Sequence, residues 1–206
     1  MRSHSDYAVT WFRVFTQKLD WPYDIPTPEI LSAEERERFL RIDLASVRTR
    51  YAQSHVFLRE TLSRFAPVKP GDWEFGAGEF GRPFIKGPAA GLGLDFNLSH
   101  TRDYVACVVT DGAACGIDIE RIHLPAYLMP VARRQFAAGE CDELEKLDEG
   151  ARLRRFFELW TEKEAWVKAH GQGLRMATNL RIGEIPGVRL HRLPAPANHA
   201  MAVVLL

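Results

Sequence analysis

Cysteine is scarce in this chain. The three present among 206 residues, Cys107, Cys115 and Cys141, form no CxxC pair and are too few and too scattered for a disulfide framework or a thiolate zinc site. Reduced, partly buried thiols are expected. An excess of one charge is missing too: Lys plus Arg number 27, and Asp plus Glu number 27. That balance removes any global pull towards nucleic acid or an anionic membrane, so neither is expected as a partner. Electrostatic recognition must be local. No apolar run is long enough to span a bilayer, and the opening MRSHSDYAVTWFRVF lacks the apolar core of a signal peptide. A soluble, cytoplasmic protein is the expectation.

What is there is an ordinary globular composition, 46% hydrophobic and 26% charged, with ample material for a buried core. Alternation from Tyr7 to Phe15 predicts an opening strand, which Pro22, Pro26 and Pro28 end. Ser32 followed three residues later by Glu35 is a capping-box signature, so a helix is expected through EERERFLRI. A second helix is predicted from Val47 to Phe65, before Pro67. Short strands follow at Trp73–Phe75, Pro83–Ile85, Leu94–Leu98 and Tyr104–Thr110, with Asp111-Gly112 as a turn into Cys115–Glu120. Further helices are expected over Pro130–Leu147 and Leu153–His170, the latter stopped by Gly171. Strands at Leu180–Ile185, Val188–Leu193 and Ala200–Leu206 close the chain. The order describes an α+β protein of two similar halves, residues 1–114 and 115–206, without an obvious residue-level repeat. No low-complexity tract or long linker separates them, so a cleft between packed halves is the natural ligand site.

Three stretches carry chemistry. In GIDIE, Gly116 to Glu120, strand alternation puts Ile117 and Ile119 on one face and Asp118 and Glu120 on the other, the two acids about 7 Å apart. Like charges so close need a cation or a shared proton; Mg2+, which prefers oxygen ligands, is one answer, and a solvent-facing strand edge is another. In FFELWTEKEAWVKAHG, the residues Phe157, Trp160, Glu164 and Lys168 fall along one helical face. Alone, Glu164 and Lys168 read equally as a surface ion pair, Trp160 as a core aromatic, and Lys163, one residue off the stripe, stays ambiguous. In FNLSH, a strand delivers Ser99 and His100 to its end. The pair lacks the spacing of a nucleophile and base, and no GxSxG surrounds the serine. Phosphate or ribose contacts suit it better.

FNLSH, GIDIE and WTEKEAWVKAHG, in this order and at these separations, closely resemble the 4′-phosphopantetheinyl transferases of the Sfp type. Gly81-Arg82-Pro83 and the arginine-rich helix before Arg50 extend the resemblance over about Ser32 to Gly173. It implies two α+β halves related by a pseudo-twofold axis with coenzyme A between them. The implied reaction moves the phosphopantetheine arm of coenzyme A to a serine of an apo acyl or peptidyl carrier protein, releasing adenosine 3′,5′-bisphosphate. By motif position, Asp118, Glu120 and Glu164 match the acids around Mg2+, Lys168 the lysine on the pyrophosphate, and Glu164 also the proposed general base. Ser99, His100 and Arg82 match the residues near the adenine and 3′-phosphate, and Arg38 and Arg50 match basic residues lining the nucleotide site. Glu35 departs from the pattern, since some relatives have lysine there. A monomer is implied. Arg133, Arg134, Arg152, Arg154 and Arg155 would be placed to steer an acidic carrier. A metal-dependent hydrolase of pyrophosphate bonds and a non-catalytic coenzyme A binder remain the competing readings.

Overall fold

The structure, a computed structural model, describes residues 11–19, 27–171 and 179–206. The first strand, β1, runs Phe12–Lys18, later than predicted. Residues 7–10, Pro22, Pro26 and Gly173, which figure in the sequence reading, lie outside the described residues. Helices α1 (Ala33–Leu40) and α2 (Ala45–Leu62) follow, then β2 (Glu74–Ala77), β3 (Pro83–Lys86), β4 (Asp95–His100), β5 (Tyr104–Thr110) and β6 (Cys115–Arg121). Helices α3 (Leu128–Gln135), α4 (Ala138–Lys146) and α5 (Glu149–His170) precede β7 (Arg189–Arg192) and β8 (His199–Leu205). The protein is α+β, with two antiparallel three-stranded sheets, β1-β5-β4 and β6-β8-β7, and the hairpin β2-β3.

Strand periodicity stacks these elements. In the central strand β5, Val105, Cys107 and Val109 pack on Phe57, Leu58 and Leu62 of α2, while Ala106 and Val108 meet the second sheet. In β8, Met201, Val203 and Leu205 face the first sheet, and Ala202 and Val204 face Ala165, Trp166 and Val167 of α5. Both central strands are therefore apolar on both faces, as strands covered on two sides must be. The layers run α2, first sheet, second sheet, α5. Gly116 brings α5 unusually close to β6, because a Cβ there would stand 2.0 Å from the Ala165 carbonyl oxygen.

The Ser32 capping box forms as expected: Ser32 Oγ accepts from the Glu35 N–H at 3.2 Å, and Glu35 Oε2 accepts from the Ser32 N–H at 2.8 Å. Gly171 ends α5 at φ 63°, also as predicted. Two expectations need correction. The single helix over Pro130–Leu147 is two, because Phe136 turns extended (φ −103°, ψ 158°) and enters the core. Ala137 then restarts the helix, its N–H bonded to Glu140 Oε2 at 2.8 Å. The strand expected at Leu180–Ile185 is a 3-10 turn at Ile182–Glu184, which seats Ile182 under α5. The three cysteines are free and buried. No helix among the described residues is long and apolar enough to cross a membrane.

Candidate active site

The site forms where β4, β6 and α5 meet. Strands β4 and β6 belong to different sheets, yet every second side chain of β4 caps a backbone N–H of β6. Cys115 N–H donates to Asp95 Oδ2 at 3.2 Å, Ile117 N–H to Asn97 Oδ1 at 3.0 Å and Ile119 N–H to Ser99 Oγ at 3.3 Å. The opposite face of β4, through Phe96 and Leu98, enters the apolar cluster beneath α2. The sequence DFNLSH is thus a strand with one apolar face and one face of acceptors. Backbone donors that would otherwise be buried unpaired are satisfied this way.

Ser99 is the node of the site. Its hydroxyl donates to Asp118 Oδ1 at 2.9 Å and accepts from Lys168 Nζ at 2.9 Å, and Lys168 Nζ also meets Asp118 Oδ1 at 2.6 Å. With the Ile119 N–H, both lone pairs and the proton of this hydroxyl are engaged. Leu98, Ser99, His100, Asp118, Glu120, Trp160, Glu164 and Lys168 line one open pocket of about 380 Å³. The structure therefore brings together all three acids, the lysine and the strand-end pair singled out in the sequence. Trp160, expected as a core aromatic, stacks on Phe156 at 6.1 Å between ring centroids and also lines the pocket.

The electrostatics are those of crowded acids. Burial first, then the Asp118 charge, pushes Glu164 up to about 7 despite Lys168. Glu120 is raised to about 7 by burial, Asp118 and Glu164. Crowding that strips water from the His100 ring, together with the positive charges of Arg50 and Lys168, lowers its pKa to about 4. His100 stands exposed at the end of β4, and the direction of the shift leaves its imidazole neutral near pH 7. Among the described residues no three His, Cys, Asp or Glu side chains converge as a finished metal cage. The donor set nonetheless fits an oxygen-seeking cation. Asp118 Oδ2 is buried with no hydrogen-bond partner among the described residues, and both neighbouring glutamates are held against ionising.

Other predicted residues take different places. Arg82 is a structural clamp as well as a pocket wall: it donates to Asp95 Oδ2 (2.8 Å), to the Cys115 carbonyl (2.9 Å) and to the Lys168 carbonyl (3.1 Å). It lines an adjoining pocket of about 230 Å³ that shares Leu98 and Lys168 with the first. Arg50 reaches the site through its charge on His100. Arg38 is exposed, its guanidinium 5.6 Å from the centre of the Tyr51 ring. Glu35 turns inward, bound by Arg59 at 2.7 Å and His55 at 2.8 Å. Lys163 is buried away from the pocket, paired with Glu140 at 2.8 Å and 5.3 Å from the Phe136 ring centre, so it ties α5 to α4. Of the five arginines around α3 and α5, Arg133 pairs with Glu145 and Arg155 with Glu143. Arg152 closes the end of α4 through the Leu144 and Leu147 carbonyls. Arg134 and Arg154 remain exposed.

Asp95 and Asn97 were not among the predicted site residues. Their signal was the D-x-N-x-S alternation on a strand whose other face is apolar.

Comparison with known proteins defines the class. Residues 114–197 match the 4′-phosphopantetheinyl transferase superfamily. The 4′-phosphopantetheinyl transferase HetI of Nostoc sp. (strain PCC 7120) is 31% identical over 182 residues, 85% of this chain and 77% of HetI. The 4′-phosphopantetheinyl transferase Sfp of Bacillus subtilis (strain 168) is 31% identical over 147 residues, 71% of this chain and 62% of Sfp. The 4′-phosphopantetheinyl transferase gsp of Aneurinibacillus migulanus is 28% identical over 149 residues, 72% of this chain and 60% of gsp. The chain belongs to the 4′-phosphopantetheinyl transferase family.

Proposed function

We propose that this chain transfers the 4′-phosphopantetheine arm of coenzyme A to a serine of an apo acyl or peptidyl carrier protein, releasing adenosine 3′,5′-bisphosphate. The observation that carries the reading is the placement of Glu164 and Lys168, one turn apart on α5, in the same pocket as Asp118 and Glu120. Glu164, raised to about 7, has the affinity of a general base matched to neutral pH. It takes the carrier serine proton as the serine oxygen bonds to the phosphorus nearer the pantetheine arm. The bond from that phosphorus to the bridging oxygen breaks, and the bisphosphate leaves. Lys168 brings a positive charge to the pyrophosphate. Asp118, Glu120 and Glu164 would hold Mg2+, which when bound neutralises charge on the pyrophosphate and the leaving group. The His100 ring and the guanidinium groups of Arg82, Arg50 and Arg38 are assigned to the nucleotide end, where a planar fork suits phosphate oxygens. Ser99 is assigned there too, although a phosphate contact requires it to release one of its present partners.

The two-half organisation, 1–114 and 115–206, with coenzyme A between the halves about a pseudo-twofold axis, is part of the proposal. It is supported by a pocket drawn from β4 on one side and from β6 and α5 on the other, and by a helix-backed antiparallel sheet in each part. We further propose that the enzyme works as a cytoplasmic monomer. Incubation with coenzyme A, Mg2+ and a panel of apo acyl and peptidyl carrier proteins, read by mass spectrometry, tests the reaction. A phosphopantetheine mass gain on a carrier is expected. Cleaved coenzyme A with unmodified carriers would instead identify a hydrolase, and binding without turnover a non-catalytic binder.

A further inference from the structure

The face of β4 that meets β6 replaces a strand partner with side chains. Asp95, Asn97 and Ser99 bond the N–H groups of Cys115, Ile117 and Ile119, each side chain meeting the residue twenty positions on. Two of the three also bind elsewhere: Asp95 pairs with Arg82, and Ser99 joins Asp118 and Lys168. Asn97, buried at 4% exposure, holds the middle. The consequence falls on Asp118. Its backbone lies between the Ile117 and Ile119 amides, one pinned by Asn97 and the other by Ser99.

We infer that Asn97 is a positioning residue for the transfer reaction: by fixing the Ile117 amide it sets the height of Asp118 beneath α5, and so the meeting of Asp118 with Ser99 and Lys168. Asparagine suits the place because a neutral amide oxygen accepts the N–H without adding a charge beside the crowded acids. An apolar side chain of the same size leaves a buried donor unpaired. A carboxylate of the same shape restores the acceptor. The effect on catalysis rests on the transferase reading above, whereas the effect on β6 does not.

The test compares wild type, Asn97→Leu and Asn97→Asp, first by amide hydrogen exchange and then by carrier modification on the panel described above. In Asn97→Leu, exchange at residues 117–119 should quicken about tenfold or more, as expected for one lost buried hydrogen bond, while amides of β8 keep their protection. Global loosening would quicken both. In Asn97→Leu, transfer should slow about tenfold or more at saturating coenzyme A, with KM for coenzyme A nearly unchanged, and Asn97→Asp, which restores the acceptor, should restore the protection at 117–119. Unchanged exchange at 117–119, or parallel quickening in β8, overturns the positioning role whatever the activity. So does an Asn97→Asp variant whose amides at 117–119 exchange as fast as those of Asn97→Leu. If wild type modifies no carrier while exchange behaves as expected, the pinning of β6 stands and it is the transferase reading that fails.

Discussion

Asp118 Oδ1 stands 2.6 Å from Lys168 Nζ, and the Ser99 hydroxyl bonds to both. A strand of one sheet, a strand of the other and the long helix are tied together at this point. Burial and the Asp118 charge together raise Glu120 and Glu164 to about 7, so Asp118 controls its neighbours as well as binding its own partners. In metal-free Asp118→Asn, the midpoints of both glutamates should fall towards the ordinary 4.5 without reaching it, because burial persists. Carboxyl carbon NMR titration reads this directly. Carrier modification by the same variant should drop about a hundredfold or more, with the fold intact by circular dichroism. Unmoved midpoints would show that the acids do not sense one another.

Gly116 is the contact that lets α5 lie on β6. A methyl group there would sit 2.0 Å from Ala165 O and 2.5 Å from Ala169 N, both of them backbone atoms that cannot swing aside. Gly116→Ala should cost about 3 kcal/mol or more in urea unfolding, at or beyond the upper end for overpacked sites. Activity should fall further than stability, because the displaced helix carries Glu164 and Lys168. A variant with wild-type stability would mean that the helix can move away freely.

Glu35, the departure from the resemblance, serves the fold. Burial acts to raise its pKa, yet the His55 and Ser32 hydrogen bonds and the His55 and Arg59 charges prevail and hold it down to about 2. Since the folded value lies below the ordinary 4.5, the carboxylate stabilises the fold above that pH, and its contribution drains away as pH falls towards 2. The shift corresponds to about 3 kcal/mol, with little discount for a side chain 11% exposed. Glu35→Gln should therefore be destabilised by roughly that amount at pH 7, with the gap from wild type narrowing below pH about 4.5. A gap that stays constant with pH would remove the ionic account.

Local chemistry was legible in the sequence and tertiary chemistry was not. The Ser32 cap, the Gly171 stop and the acid pair of GIDIE each depend on residues within one turn or one strand. The role of Lys163, ambiguous in the sequence, depended on Glu140 of another helix, which pairs with it. The break at Phe136 arises from a ring seeking the core, while the surrounding pattern continues helical. Strand DFNLSH displayed its polar face openly, but only the neighbouring sheet shows that the face caps β6.

Glu164, one turn from Lys168 on α5, is the proposed base for transfer. Glu164→Gln keeps the shape and removes the basic carboxylate. The most direct measurement is its single-turnover rate of carrier modification beside its calorimetric affinity for coenzyme A in Mg2+. A rate loss of about 10² to 10⁴, the usual value of a general base, is expected, with near-wild-type affinity. A rate within about threefold of wild type, a loss far below that range, would remove Glu164 from the role of base.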